Sequence, residues 1–171
     1  MIRIARRGLT VAATLLVLAI GAGVFVASGA YNIGADDHHT RVVLSIIEQL
    51  RNRSVAVRAR GVEVPNLGLG DPSNIAAGAQ HYAALCIGCH LAPGVRKSEI
   101  RAGLYPHPPN LAEEDVGDAQ RAFWIIKHGI KMSAMPAWGK TLNDAAIWDI
   151  VSFVRQMPMM TPETYQQLTA R

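Results

Sequence analysis

The chain has only two cysteines, Cys86 and Cys89, among its 171 residues. A small domain stapled by several disulfides is therefore excluded, and so is a structural zinc site, which takes four ligands, usually as two pairs. Aromatic residues make up 6% of the chain and charged residues 18%. No segment alternates apolar and polar residues as a half-buried strand would, and there is no internal repeat, so neither a sheet-based domain nor a solenoid is expected. The net charge of +4 does not form a basic face. Residues 31–61 hold five arginines against three acids, whereas from Val62 onward nine basic residues meet ten acidic ones. A nucleic-acid partner needs its basic surface on the folded body, and is excluded on that ground.

The one long hydrophobic run lies at the start. Arg3, Arg6 and Arg7 precede 23 uncharged residues, Gly8 to Ala30. A secretory h-region has about 7–15 residues, whereas a bilayer-spanning helix needs about 20, so an uncleaved anchor is favoured over a cleaved signal ending near Ser28-Gly29-Ala30. The arginines should stay in the cytoplasm, which places the remainder on the periplasmic side of a single-pass membrane protein.

Five segments follow from the pattern: an anchor (1–30), an amphipathic juxtamembrane helix (31–61), a linker (62–72), a body (73–160) and a polar, loosely ordered tail (161–171). In the second, Asp37 is the expected N-cap, and Val43, Ile46, Ile47, Leu50 and Val57 share one face, with Arg41, Arg51 and Arg58 on the other side. Three roles are open to that apolar stripe: lying on headgroups, packing on a partner subunit, or packing on its own domain. In the body, Ser73 should cap a helix leading into Cys86, and another should run from Asp118 to His128 with Gly129 as its left-handed stop. Asn143 should cap a last helix, with Ile147, Ile150, Val151 and Val154 facing inward and Pro158 ending it. Two irregular loops lie between these helices.

The stretch "CIGCH", Cys86 to His90, admits four readings. A disulfide across two intervening residues closes too small a loop to gain much chain entropy. A thioredoxin-like pair should sit beside a βαβ unit, and no strand pattern exists. Zinc lacks its second pair of ligands. Covalent haem attachment accounts for all three residues: two thiols for the two vinyl groups, and a histidine beside them for the iron. A sixth iron ligand must then be found. In "KHGIKMSAMPAWG", Met135 precedes Pro136, which keeps the loop out of helix, and Ser133 and Ala134 are small enough for close approach. Met135 is the expected ligand and Met132 a packing residue. His128 and His107 are read as surface or pocket-wall groups, His38 and His39 as too near the anchor, and His81 as facing away.

These residues, with Gly78 and Tyr82, "GLYPHPPNL" and "IWDIVSFVRQMP", resemble the class I monohaem cytochromes c over Ser73 to Pro158, about half the chain. The resemblance implies an all-α, cytochrome c-like domain carrying one covalent haem c on Cys86 and Cys89, with His90 and Met135 as axial ligands. It also implies that Gly78 and Tyr82 lie where the first and last helices cross, beside Phe153, and that the Pro93 carbonyl orients His90. Relatives often carry Thr-Gly before the methionine-proline, where this chain has Ser133-Ala134.

A closed coordination sphere suits one-electron transfer rather than catalysis at the metal. The expected protein is a non-enzymatic, membrane-tethered electron carrier, or the cytochrome subunit of a respiratory or dehydrogenase complex. Its redox partners would be a dehydrogenase, a terminal oxidase or a soluble carrier. Ile87, Leu104, Leu111, Ile130, Trp138 and Val151 are candidates for the haem wall, and Tyr105, Trp138, Arg101 and Lys131 for propionate donors. The rival is a haem peroxidase or gas sensor with a labile distal ligand, for which His107 or His128 would be the acid–base group.

Overall fold

The computed structural model describes residues 2–66 and 68–170. Met1, Leu67 and Arg171 lie outside the described residues, as do the side chains of residues 2–5, Arg3 among them. Among the described residues the secondary structure is helical, apart from an isolated bridge between Ala92 and Val95. The chain divides into two units, Met1–Asp37 and His38–Arg171.

The first unit is built on α1, Ile2–Ser28. Its stretch Arg6–Ser28, 23 residues with a mean hydropathy of 2.5 and no burial, is long and apolar enough to cross a bilayer. Its few polar side chains are satisfied inside the helix: Thr10 and Thr14 donate to the carbonyls of Arg6 and Thr10, each at 3.0 Å. These two hydroxyls need no water, as a lipid environment demands.

The second unit begins with α2, Arg41–Ala59. Its cap is Thr40 rather than the expected Asp37; the Thr40 hydroxyl accepts from the Val43 amide at 3.4 Å. Of the three roles open to the apolar stripe of α2, packing on its own domain is not the one observed. Val55 and Ala59 are buried, with Leu44, Glu48 and Arg51 half-buried above them, while the stripe Val43, Ile46, Ile47, Leu50 and Val57 remains exposed. Small and branched residues at 55 and 59 let the helix lie close on its neighbour, and the larger aliphatics point away. The stripe therefore does not pack on its own domain.

Helix α3, Pro72–Leu85, is capped by Asp71, not Ser73. The Asp71 carboxylate accepts from both the Ser73 amide (2.8 Å) and hydroxyl (2.6 Å), and Pro72 takes the first helical position, where no N–H is needed. Two short helices follow, α4 (Ile87–His90) and α5 (Glu99–Ala102). Then come α6, Ala119–His128, in which Asp118 is the N-cap rather than the first helical residue, and α7, Asp144–Gln156, capped by Asn143 as expected. Pro158 does not end α7; the helix closes at Gln156 and tightens into a 3-10 turn, Met157–Met159.

The expected loose tail is ordered. Thr161 caps α8, Pro162–Thr169, and Tyr165 is buried with its ring 6.2 Å from that of Phe153. Two apolar residues three apart, Tyr165 and Leu168, supply too little periodicity to signal a helix, yet both pack on the core and dock one.

The core forms where α3 crosses α7. Tyr82, Phe153, Ile147, Ile150, Val151, Val154 and Met157 are almost wholly buried there. Each large apolar side chain removed from water contributes roughly 1.5–3 kcal/mol. Gly78 sits at the crossing itself: a Cβ on it would fall 2.0 Å from the Asp149 carbonyl oxygen and 2.9 Å from the Phe153 Cβ. Helix α6 closes the other side, with the Phe123 and Trp148 rings stacked 4.3 Å apart and Lys127 paired to Asp144 at 2.7 Å.

Candidate haem-attachment site

Both cysteines sit at a helix junction. Cys86 ends α3 and begins α4, its amide bonded to the Tyr82 carbonyl at 2.9 Å. Its own carbonyl accepts from the amides of Cys89 (3.1 Å) and His90 (2.9 Å), which winds Cys86, Cys89 and His90 into one turn. The two thiols are not joined to each other and both are half-buried. Burial, with the neighbouring Cys89, pushes the Cys86 thiol up to about 12, so it is a neutral thiol rather than a reactive thiolate.

His90 is held from three directions. Its ring Nδ1 lies 3.0 Å from the Pro109 carbonyl oxygen. A carbonyl only accepts, so Nδ1 carries the hydrogen and Nε2 keeps a free lone pair. The His90 carbonyl accepts from the Leu111 amide at 3.1 Å, which ties the same loop to the backbone. The Ser98 hydroxyl donates to the Gly88 carbonyl, fixing α4 from the side of α5. Burial, assisted by the charge of Arg101, holds the imidazole below the ordinary histidine range, against the opposing Pro109 bond and Glu114. The outcome is a neutral, oriented ring, the form that binds a metal. The expected orienting carbonyl was that of Pro93; it is Pro109, because the "PHPPN" loop folds back over the histidine while Pro93 continues the chain away from it.

Beyond His90 the chain turns sharply. Leu91 has φ 61 and ψ −172, a region that side-chain-bearing residues rarely enter. It is 4% exposed, and its carbonyl accepts from the Tyr82 hydroxyl at 2.6 Å. The Tyr82 ring is in turn 5.2 Å from that of Phe153, at the crossing expected from the resemblance.

Met135 stands on a tight loop. The Ile130 amide donates to the Met135 carbonyl at 3.2 Å, and the Ser133 hydroxyl bridges the loop. That hydroxyl donates to the Ile130 carbonyl (2.8 Å) and accepts from the Met135 amide (3.2 Å), so the serine does locally what backbone freedom would otherwise supply. Gly129, at φ 65 and ψ −171, admits no side chain, since a Cβ there would lie 2.6 Å from the Met135 carbonyl oxygen. Met135 itself is half-buried and packs on the main core, as do Cys86, Ile87, Leu111 and Trp138. Met132, expected to pack, is fully exposed with φ 56. It sits at the loop's outer tip, where the turn that brings Met135 inward sends its neighbour out.

Arg101 donates to the Pro108 carbonyl, which makes it a clamp on the His90 loop. With Arg96, Lys97 and His107 it lines a groove of about 430 Å³ in which Glu99 is the one acid. His128 is exposed and its ring lies 4.8 Å from Trp124. His38 stacks on Tyr105 at 4.2 Å, an association that no local periodicity could announce. The residues present fit a covalent haem: two uncommitted thiols one turn apart, a neutral imidazole with its outer nitrogen free, and a thioether on the edge of the same apolar core.

A family model described as "Cytochrome C oxidase, cbb3-type, subunit III" matches residues 73–154. No solved structure matches the chain.

Proposed function

Residues 73–154 being a domain of the class I monohaem c-type cytochrome family, we propose that the protein carries single electrons through one haem c bonded to Cys86 and Cys89, with His90 and Met135 as its axial ligands. The haem supplies one-electron chemistry at iron. The rest is done by this chain. Cys86 and Cys89 would hold the group covalently, each thiol supplying the sulfur and hydrogen that saturate one vinyl group, with nothing to leave. His90 offers Nε2 because the Pro109 carbonyl holds the hydrogen on Nδ1. Met135 offers a neutral thioether, which favours a higher potential than a second imidazole. Ile87, Leu111 and Trp138 exclude water from the surroundings. With both axial positions filled by side chains, a substrate has no open coordination site. The single observation that carries this reading is the oriented imidazole of His90 beside two free thiols.

Helix α1 would tether the domain to the membrane, with Arg6 and Arg7 on the cytoplasmic side and the haem domain in the periplasm. Tethering raises the effective concentration of the domain at membrane-bound partners. Those would be a dehydrogenase as donor and a terminal oxidase or soluble carrier as acceptor, or the domain would serve as a cytochrome subunit of such a complex. The oxidase named in the family's description supports the oxidase side of that set. The peroxidase or gas-sensor alternative gains no support from His107 and His128, which are both exposed.

The test is optical and electrochemical. Oxidised wild-type protein should be low-spin, with the weak far-red band of sulfur bound to ferric iron. Met135→Ala should abolish that band and lower the midpoint potential. A high-spin wild type, or a Met135→Ala spectrum identical to it, would refute methionine ligation. Colourless protein matured with haem available would refute the cofactor altogether.

A further inference from the structure

The apolar stripe of α2 is left uncovered by the described residues of its own unit. Val42, Ile46, Leu50 and Val57 are 69%, 62%, 71% and 59% exposed, and Val43 and Ile47 flank them at 40% and 45%. The stripe extends over about 22 Å of helix. It lies opposite the face that carries Val55 and Ala59, so the domain rides on one side of α2 while the other is bare.

The charges around the stripe identify what covers it. At 100° per residue, the exposed Arg53 and Arg60 fall along one edge and the exposed Arg58 along the other. The only acid of α2, Glu48, points to the packed face, 3.9 Å from Arg51. A second copy of α2 laid on this stripe would meet arginine with arginine along both edges. A surface that is apolar within and anionic at its rim satisfies all of them: long arginine side chains reach headgroup phosphates while the aliphatics enter the acyl region. Such a surface is within reach. Twelve residues separate Ser28 from Arg41, a tether of at most about 45 Å from the end of the spanning helix.

We propose that α2 is an interfacial helix that lies in the anionic headgroup layer of the bilayer, with Val42, Ile46, Leu50 and Val57 immersed and Arg53, Arg58 and Arg60 on lipid phosphates. The haem domain is then held on the membrane surface by α2 rather than swinging on a loose tether. The proposal rests on α1 being the membrane anchor.

The experiment uses the full-length haem protein reconstituted into vesicles of phosphatidylcholine with or without phosphatidylglycerol. A benzophenone photo-crosslinker is placed singly at position 46 or 50, at 52 on the polar side as a control, and at 15 within α1. Expected are lipid adducts at 46 and 50 but not 52 in the anionic vesicles, in lower yield with raised salt. Replacing Arg53→Gln and Arg60→Gln together should weaken insertion by up to about fivefold for each charge removed. Crosslinks from 46 and 50 to a second copy, or no adducts there, overturn the proposal, as does equal lipid yield in the zwitterionic vesicles. The probe at 15 separates the two readings: adducts at 15 without any at 46 or 50 leave the anchor standing and remove the interfacial helix. Absence at all three positions removes both.

Discussion

The hydroxyl of Tyr82 donates to the carbonyl of Leu91 at 2.6 Å, joining the core of α3 to the one residue that turns the chain away from His90. Leu91 occupies backbone space that normally belongs to glycine, and this bond compensates part of that strain. Tyr82→Phe keeps the ring against Phe153 and leaves a buried carbonyl without a partner. The haem protein should lose about 1–3 kcal/mol in denaturant unfolding, with little change in its visible spectrum.

Gly78 is where α3 and α7 approach backbone to backbone. The space for a Cβ is already taken by the Asp149 carbonyl, 2.0 Å away, so the helices must separate to admit one. Gly78→Ala should cost about 3 kcal/mol or more in unfolding experiments. Gly21→Ala, in α1 with no atom within 4 Å, should leave the stability of the haem domain unchanged.

The loop carrying Met135 offers a graded test. Ser133→Ala removes a bridge between Ile130 and Met135 and should cost about 1 kcal/mol, with the far-red band lost at lower temperature than in wild type. Gly129→Ala both strains a left-handed residue and drives a Cβ into the Met135 carbonyl. It should weaken the far-red band at every temperature. Equal spectra for all three proteins would separate the loop's geometry from iron ligation.

Asp149 carries the pH prediction. Burial raises its carboxyl above the usual value of 3.8, partly offset by His81. The folded state therefore binds the proton more tightly than the unfolded one, so its contribution is intact below 3.8 and is lost as pH rises through the raised folded value. Asp149→Asn should raise the midpoint of thermal unfolding slightly at pH 7 and leave it unchanged near pH 3. Its side chain is only partly buried, so solvent screening keeps the gain small.

What could be read in advance followed from local signals. The helix ending at His128 with Gly129 beyond it and the cap at Asn143 are short-range patterns, and the structure folds those segments as the patterns dictate. What could not be read depends on where distant segments land. Pro109 replaces Pro93 at the imidazole because a loop 19 residues away folds back, and proline carbonyls look alike in one dimension. The stripe of α2 announced an apolar face by its period and left three roles open, because period records only that a face is apolar, not what lies on it. Tyr165 and Leu168 dock α8 by only two side chains, below the threshold of any periodic signal.

The seating of α2 on α6 bears on how the domain can be isolated. Ala59 and Val55 are almost fully covered, and Gln120 of α6 donates to the Val62 carbonyl just past the end of α2. Trimming the chain at Ser73, where family resemblance begins, would strip that cover from α6 and strand the Gln120 amide. A water-soluble fragment that starts ahead of Thr40 keeps both, at the cost of carrying a greasy flank into solution.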